Sequence, residues 1–153
     1  MDLQIIQNKI FEIRGCRVML DFHLAELYGV QTKVLKQAVK RNEKRFPSDF
    51  RFTMTKEEWH ELVTNCDQLP ESLKHSYVLP DCFTEQGVAM LSSVLRSQTA
   101  IDVNISIMRA FVLMRQMSIG YEELLKRIEE LEQSTDAQFS EVYQALTQLL
   151  SKP

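Results

Sequence analysis

The sequence has no apolar run that approaches the roughly 18 to 20 residues that a membrane-spanning helix needs. Its first fifteen residues, MDLQIIQNKIFEIRG, also lack the basic stretch, apolar core and small-residue cleavage site of a secretory signal. These absences argue against a membrane protein and against a secreted one. We therefore expect a cytoplasmic protein with no membrane association.

Cysteine and histidine are too few and too scattered for a disulfide framework or a clustered metal site. The cysteines Cys16, Cys66 and Cys82 are odd in number and include no CxxC pair. The three histidines show no HxxxH or HExxH spacing that would place two of them on one helical face. We expect reduced thiols, no metal and no cofactor.

Recognisable catalytic signatures are also missing. Cys82 has no surrounding motif that would pair it with a histidine as an activated nucleophile. Thr84, Glu85 and Gln86 form a polar cluster, but a threonine followed by an acid is explained by helix capping and by the helix dipole. The sequence therefore predicts a protein that is not an enzyme.

Positive charge is scarce overall but concentrated in one segment. The chain has 18 basic and 21 acidic residues, a net charge of −3. Residues 32–45 contain six basic residues and one acid, a net +5, which leaves −8 for the rest of the chain. A single basic segment on an acidic body predicts a local anion-binding face.

Apolar periodicity predicts a domain that starts with a β-hairpin. Residues 10–20 contain two short apolar runs joined by an Arg-Gly pair, and glycine permits a tight turn. A helix is predicted next, with Asp21 as its N-cap and Gly29 at its end. A second helix is predicted from Thr32, as N-cap, to about residue 45. Together the two helices form a helix-turn-helix candidate.

Two short strands and a capped helix are predicted downstream. Residues 50–54 alternate as a strand, and the next helix opens with a capping box between Thr55 and Glu58. Residues 65–76 have the composition of a polar loop, and residues 76–80 are predicted to form the fourth strand. The predicted fold class is α+β, with a small antiparallel sheet of the hairpin and two short strands, packed with helices.

Thr84 is predicted to cap a further helix that contains Gly87. A glycine inside a helix is unfavourable by roughly 1 kcal/mol relative to alanine, which suggests that another part of the chain approaches the backbone closely there. From about residue 99 a longer helix is predicted to pack in the core. The apolar residues that predict this core helix are Ile101, Ile105, Met108, Phe111, Val112 and Met114.

The composition changes after Gly120, since residues 121–150 contain no glycine or proline. Their apolar spacing predicts an amphipathic helix of coiled-coil type with a break in the heptad repeat. We expect this helix to oligomerise the protein, with a dimer favoured; the alternative is a terminal helix folded back on its own domain. The predicted domains are residues 1–118 and 119–153. The expected oligomerisation residues are Leu124, Ile128, Leu131, Phe139, Val142, Leu146 and Leu149.

If residues 32–45 are helical, their lysines form one stripe opposite the aliphatic residues, at about 100° per residue. Ala25, Gly29 and Leu35 then stand where a helix-turn-helix unit needs a small residue, a turn glycine and an aliphatic packing residue. Such a helix can enter the major groove of DNA. The predicted DNA-binding residues are Thr32 as cap, Lys33, Lys36, Gln37 and Lys40 for base readout, and Arg41, Lys44 and Arg45 for phosphates.

The order of these motifs resembles the ORF6N domain, a phage-derived relative of the KilA-N DNA-binding domains. The resemblance rests on the runs VMLD, LAELYGV, KRNEKRFP and FTEQGVAML, and it spans about residues 10–115. It implies a DNA-binding module of phage and prophage regulatory proteins.

Two functions from different classes remain open on the sequence. The first is a non-enzymatic regulator that binds double-stranded DNA through the basic helix and forms a homo-oligomer through the C-terminal helix. The alternative is a protein-interaction adaptor or antirepressor-type regulator. In that alternative the terminal helix binds a protein partner, and the basic face meets an acidic protein surface.

Overall fold

The structure, a computed structural model, describes residues 2–65, 69, 78–134 and 137–151. It divides into two compact units, Met1–Phe111 and Val112–Pro153. The domain boundary predicted between residues 118 and 119 stays a prediction. Among the helices described, none has the length and apolar content to cross a membrane.

The described elements confirm the α+β class. In the first unit they are α1 (Leu3–Gln7), β1 (Ile10–Ile13), β2 (Cys16–Leu20), α2 (Asp21–Tyr28), α3 (Thr32–Arg41), a 3₁₀ turn (Glu43–Arg45), β3 (Arg51–Thr53), α4 (Lys56–Asn65), β4 (Asp81–Thr84) and α5 (Glu85–Leu91). Helix α6 (Gln98–Ser134) begins in the first unit, and α7 (Ala137–Leu150) lies in the second.

The predicted hairpin is confirmed, and its turn has the expected chemistry. Strands β1 and β2 pair antiparallel up to Ile13 and Cys16, which leaves Arg14 and Gly15 as a two-residue turn. Both turn residues have positive φ, 56° and 74°, as a type I′ turn requires. The complete sheet has the order β1-β2-β4-β3, with antiparallel neighbours throughout.

An ion pair connects the hairpin turn to α4. The guanidinium of Arg14 donates to both carboxylate oxygens of Glu58 at 2.9 Å and lies 4.2 Å from the ring centre of Phe52. Glu58 also accepts from the N–H of Thr55, and Thr55 Oγ1 accepts from the N–H of Glu58, which confirms the predicted capping box. The bond from Arg14, with that from the Thr55 N–H, lowers the pKa of Glu58 to about 2.

Side chains cover the central strands on both faces. Val18, Leu20 and Cys82 lie on one face in a buried cluster with residues of α4. Met19 and Phe83, which pair in register, project to the opposite face and are also buried. Because successive side chains of a strand alternate, burial of consecutive residues means that the sheet is packed on both sides.

The prediction for the fourth strand was wrong. The strand was expected at residues 76–80, but β4 occupies Asp81–Thr84, and the described residues 78–80 are not strand. Cys82 and Phe83 supply the buried side chains that pair with β2. Pro80 therefore precedes the strand instead of ending it, and its carbonyl accepts a hydrogen bond from the N–H of Met54 at 3.0 Å.

Most of the predicted polar loop cannot be compared with the fold, because residues 66–68 and 70–77 lie outside the described residues. The helix predicted after it is present as α5, and Thr84 caps it by accepting from the N–H of Gly87 at 3.3 Å. The predicted close approach at Gly87 is confirmed, because a Cβ atom there would lie 2.0 Å from the carbonyl oxygen of Phe50.

The prediction of which residues of α6 pack in the core was only partly correct. Val103, Ile107 and Phe111 are buried, whereas Ile101 and Ile105 are more than 40% exposed. Phe111 was predicted correctly, but Val103 and Ile107 were missed, because alanines and one asparagine lie between the large side chains of the buried stripe.

A buried hydrogen bond connects α6 with the end of α2. The hydroxyl of Tyr28 donates to the side-chain oxygen of Asn104, and both residues are more than 90% buried. Burial raises the pKa of Tyr28 above its ordinary value, so the hydroxyl keeps its proton and remains a donor. The contact fixes the end of α2 from which the turn to α3 departs.

His23 gives the fold a predicted pH dependence. The residue is 7% exposed, and its ring centre lies 4.5 Å from the ring centre of Phe22. Burial, with a smaller effect of Lys9, lowers its pKa from 6.5 to about 4. The unfolded chain therefore binds a proton first as the pH falls, so folding stability decreases between pH 6.5 and pH 4. We expect this histidine to contribute a loss of about 2 to 3 kcal/mol over that interval.

Urea unfolding at several pH values checks this expectation, because the decrease should be smaller in His23→Leu than in the wild type. The exposed His60, replaced by leucine, is the matched control and should leave the pH dependence unchanged. An identical pH dependence in the wild type and His23→Leu would show that His23 is not responsible.

Candidate nucleic-acid interface

The turn between α2 and α3 has the geometry that the sequence predicted. Gly29 adopts φ 71°, its N–H donates to Glu26 O, and the N–H of Val30 donates to Ala25 O. These two bonds form a Schellman motif, which ends α2. Ala25 and Leu35 are almost completely buried, so the helices pack through the small and aliphatic residues that were expected there.

The beginnings of both helices differ by one residue from the prediction. Asp21 and Thr32 were predicted as N-caps, but each is the first residue of its helix, and the caps are Leu20 and Gln31. Neither cap makes a side-chain hydrogen bond to the helix end. Thr32 therefore lies within the first turn of α3 and does not cap it. Its side chain is partly exposed.

The basic helix is shorter than predicted. It was expected to continue to residue 45, but α3 ends at Arg41 and the 3₁₀ turn Glu43–Arg45 follows. Asn42 explains the break: its side-chain amide donates to Ala38 O at 2.8 Å, the carbonyl that its N–H would bond in a continuing α-helix. Its N–H bonds Val39 O instead, which tightens the chain into the 3₁₀ turn.

One side of α3 and the turn after it carries positive charge exposed to solvent. Leu35 and Val39 are buried on the opposite side, and Gln37 is exposed among the cations. We call these exposed cations the basic face; they are Lys33, Lys40, Arg41, Lys44 and Arg45. Within residues 2–65, 69, 78–134 and 137–151, none of them forms an ion pair with a carboxylate.

Lys36 differs from the other cations, because the fold already uses its charge. Its ammonium lies 3.3 Å from the carboxylate of Asp21, and its side chain is 32% exposed. That carboxylate is 3% exposed and also accepts from the N–H groups of Phe22 at 2.7 Å and Asp81 at 3.0 Å. Burial raises the pKa of Asp21, although the Asp81 N–H and the Lys36 ammonium favour the charged form.

This ion pair limits the role predicted for Lys36 in base readout. A base contact would take the ammonium away from Asp21 and leave a buried carboxylate without its only lysine partner in the described structure. Lys36 is therefore better suited to hold α3 against the start of α2. The pairing was missed because the two residues are far apart in sequence and no local pattern connects them.

Phe46 fixes the chain immediately after the basic face. It is 4% exposed and contacts Phe83 of β4 edge to face, with 6.0 Å between ring centres. Arg45, next to it, donates to Ser93 Oγ at 3.3 Å, a contact that the sequence did not indicate. The end of the basic face is therefore held by the sheet and by the turn after α5.

The second unit leaves most of the predicted oligomerisation residues exposed. Ile128 is the exception and is 7% exposed. The side chain of Phe139 lies outside the described part of the chain. The exposed members of the set are Leu124, Leu131, Val142, Leu146 and Leu149.

Comparison with known proteins identifies a family. No curated protein and no solved structure matches the sequence. Residues 8–94, more than half of the chain, match the ORF6N domain, and this region includes α2, α3, the basic face and α5. The chain is thus a member of the ORF6N domain family.

Proposed function

We propose that this protein is a non-enzymatic DNA-binding regulator of phage or prophage type that acts in the cytoplasm without a cofactor. The basic face contacts double-stranded DNA, and the second unit joins two copies of the chain. Membership of the ORF6N domain family supports a regulatory role of this kind.

The observation that carries the proposal is a cluster of five exposed cations without carboxylate partners in the described structure. Exposed lysine and arginine side chains on a protein surface are ordinarily paired with acidic side chains or hydrated singly. Here they share one side of a short segment, while the rest of the chain has a net charge of −8. Such an acidic body is repelled by DNA, so the duplex is steered to the basic face.

The dimensions of α3 suit the major groove. Ten helical residues are about 15 Å long, and a helix with side chains is about 10 to 12 Å wide, close to the groove width of about 12 Å. Gln37 is exposed among the cations of the helix, and its amide can bond the edge of adenine. Arg41, Lys44 and Arg45 at the far end are suited to phosphates.

The apolar side chains on α7 support association of two chains. Val142, Leu146 and Leu149 recur at four-three spacing and are 53%, 39% and 69% exposed. Large apolar side chains repeated on one helix face are typical of a partner-binding surface. A dimer would present two basic faces to half-sites about 34 Å apart. The overall affinity would then exceed that of either weak contact alone.

Binding of the full chain to a pool of random duplexes, measured by fluorescence anisotropy across a salt series, tests the DNA proposal. Phosphate contacts by Arg41, Lys44 and Arg45 should give a slope of log affinity against log salt of about −3 per protomer, and up to about −5 if Lys33 and Lys40 also neutralise phosphates. No binding at low salt would contradict the proposal and favour the adaptor alternative.

Charge on the apolar side of α7 should separate the two copies. We expect Val142→Glu/Leu149→Glu to be monomeric at tens of micromolar and to lose about 10- to 100-fold in affinity for a duplex with paired half-sites. Gln144→Glu/Gln148→Glu adds the same charge to exposed positions of the same helix and should remain dimeric. Sedimentation measures the mass of each; a wild type that is already monomeric would contradict the dimer.

A further inference from the structure

The turn at residues 92–97, after α5, contains a second basic group next to the basic face. Arg96 is exposed, and its Nε donates to the carbonyl oxygen of Ser93 at 3.1 Å. The hydroxyl oxygen of the same serine accepts from Arg45 at 3.3 Å. One residue thus holds guanidinium groups from two parts of the chain.

Ser93 positions the arginines and is itself satisfied. Its hydroxyl donates to Met90 O at 2.7 Å, so its proton is committed within the turn. The N–H of Ser93 also donates to Met90 O, at 3.0 Å. These two bonds hold Ser93 in place within the turn. Arg45 and Arg96 each use one donor group in these contacts, and most of the five N–H donors of each guanidinium remain for a ligand.

The stretch of chain that carries Arg96 has no acidic residue of its own. Residues 86–101 contain no aspartate or glutamate. Neither Arg45 nor Arg96 forms an ion pair among the described residues. Two guanidinium groups bonded to one residue repel each other, and an anion between them would relieve that repulsion.

We propose that Arg96 and Arg45 together bind one phosphodiester of the DNA strand that borders the groove occupied by α3. Arginine forks match phosphate oxygens with two parallel hydrogen bonds, and Arg45 already belongs to the basic face. The turn at residues 92–97 is then a second backbone contact, which fixes the position of α3 along the duplex without reading its sequence. This inference rests on the proposed DNA-binding function.

Salt-dependent binding of the full chain to random duplexes tests the contact. Arg96→Gln should weaken binding about 5- to 10-fold near 0.1 M salt and make the salt slope less steep by less than about one, because Arg45 still contacts the shared phosphate. Arg45→Gln/Arg96→Gln should lose less than the product of the two single losses, because both side chains hold the same phosphate. The control is Arg109→Gln, the same change at an exposed position of α6, and it should bind like the wild type.

The outcomes separate this contact from the proposed function. If the wild type binds with a steep slope and Arg96→Gln keeps both affinity and slope, the phosphate contact at residue 96 is overturned while DNA binding stands. Equal losses in Arg96→Gln and Arg109→Gln also overturn it, because they indicate a nonspecific effect of charge. Absence of binding by the wild type overturns both. Thermal unfolding of each variant verifies that an affinity loss occurs in folded protein.

Discussion

Gly87→Ala is expected to destabilise the first unit by about 3 kcal/mol or more. The added Cβ would lie 2.0 Å from the carbonyl oxygen and 2.9 Å from the carbonyl carbon of Phe50. Both are backbone atoms, and the same oxygen accepts a hydrogen bond from the N–H of Thr84 at 3.0 Å. Movement of α5 or of Phe50 to make room would therefore break the hydrogen bond between Thr84 of β4 and Phe50, which precedes β3.

The fluorescence of Trp59, the single tryptophan, is suited to this measurement because Trp59 is buried in the first unit. Urea unfolding of Gly87→Ala should show a much lower midpoint than that of the wild type. Gly120→Ala is the matched control, since a Cβ there meets open space and its midpoint should not decrease. Equal midpoints for Gly87→Ala and the wild type would contradict the close contact with Phe50.

Charge reversal on the basic face is expected to remove most of the DNA affinity. Lys40→Glu/Lys44→Glu should lower affinity for random duplexes roughly 100-fold near 0.1 M salt and make the salt slope less steep by at least about two. The reason is the loss of a base contact at Lys40 and a phosphate contact at Lys44, together with the addition of two negative charges beside the phosphates. Lys36 is left intact because its ion pair with Asp21 serves the fold.

The matched control for this prediction changes charge by the same amount elsewhere. Lys56→Glu/Lys126→Glu replaces two exposed lysines outside the basic face. If net charge alone determined affinity, both double variants would lose it equally. We expect only Lys40→Glu/Lys44→Glu to bind weakly while its unfolding midpoint stays near that of the wild type, and equal losses would contradict the assignment.

Features with local chemical causes could be predicted from the sequence. The Arg-Gly turn, the capping box of Thr55 with Glu58 and the cap at Thr84 each depend on residues within three positions of each other. Gly87 was informative because a helix interior disfavours glycine unless space is limited. Such features were found without knowledge of the tertiary structure.

Features decided by distant or competing contacts could not be predicted. Two adjacent segments, residues 76–80 and Asp81–Thr84, both have apolar residues, and only pairing with β2 and β3 identifies the second as the strand. The end of α3 depends on the side chain of Asn42 competing with its own backbone. The ion pair of Lys36 joins two helices, so a charged stripe alone could not show which lysine the fold uses.

Lysine acetylation of the full chain with and without saturating DNA, quantified at each site by mass spectrometry, tests whether the basic face lies on DNA. If the basic face lies on DNA, acetylation of Lys33, Lys40 and Lys44 should slow by about fivefold or more, because base edges and phosphates cover their ammonium groups. Lys56 and Lys126, also exposed, should react at unchanged rates. Equal protection of all five lysines, or protection of Lys56 and Lys126 alone, would contradict the claim that this face of α3 binds DNA.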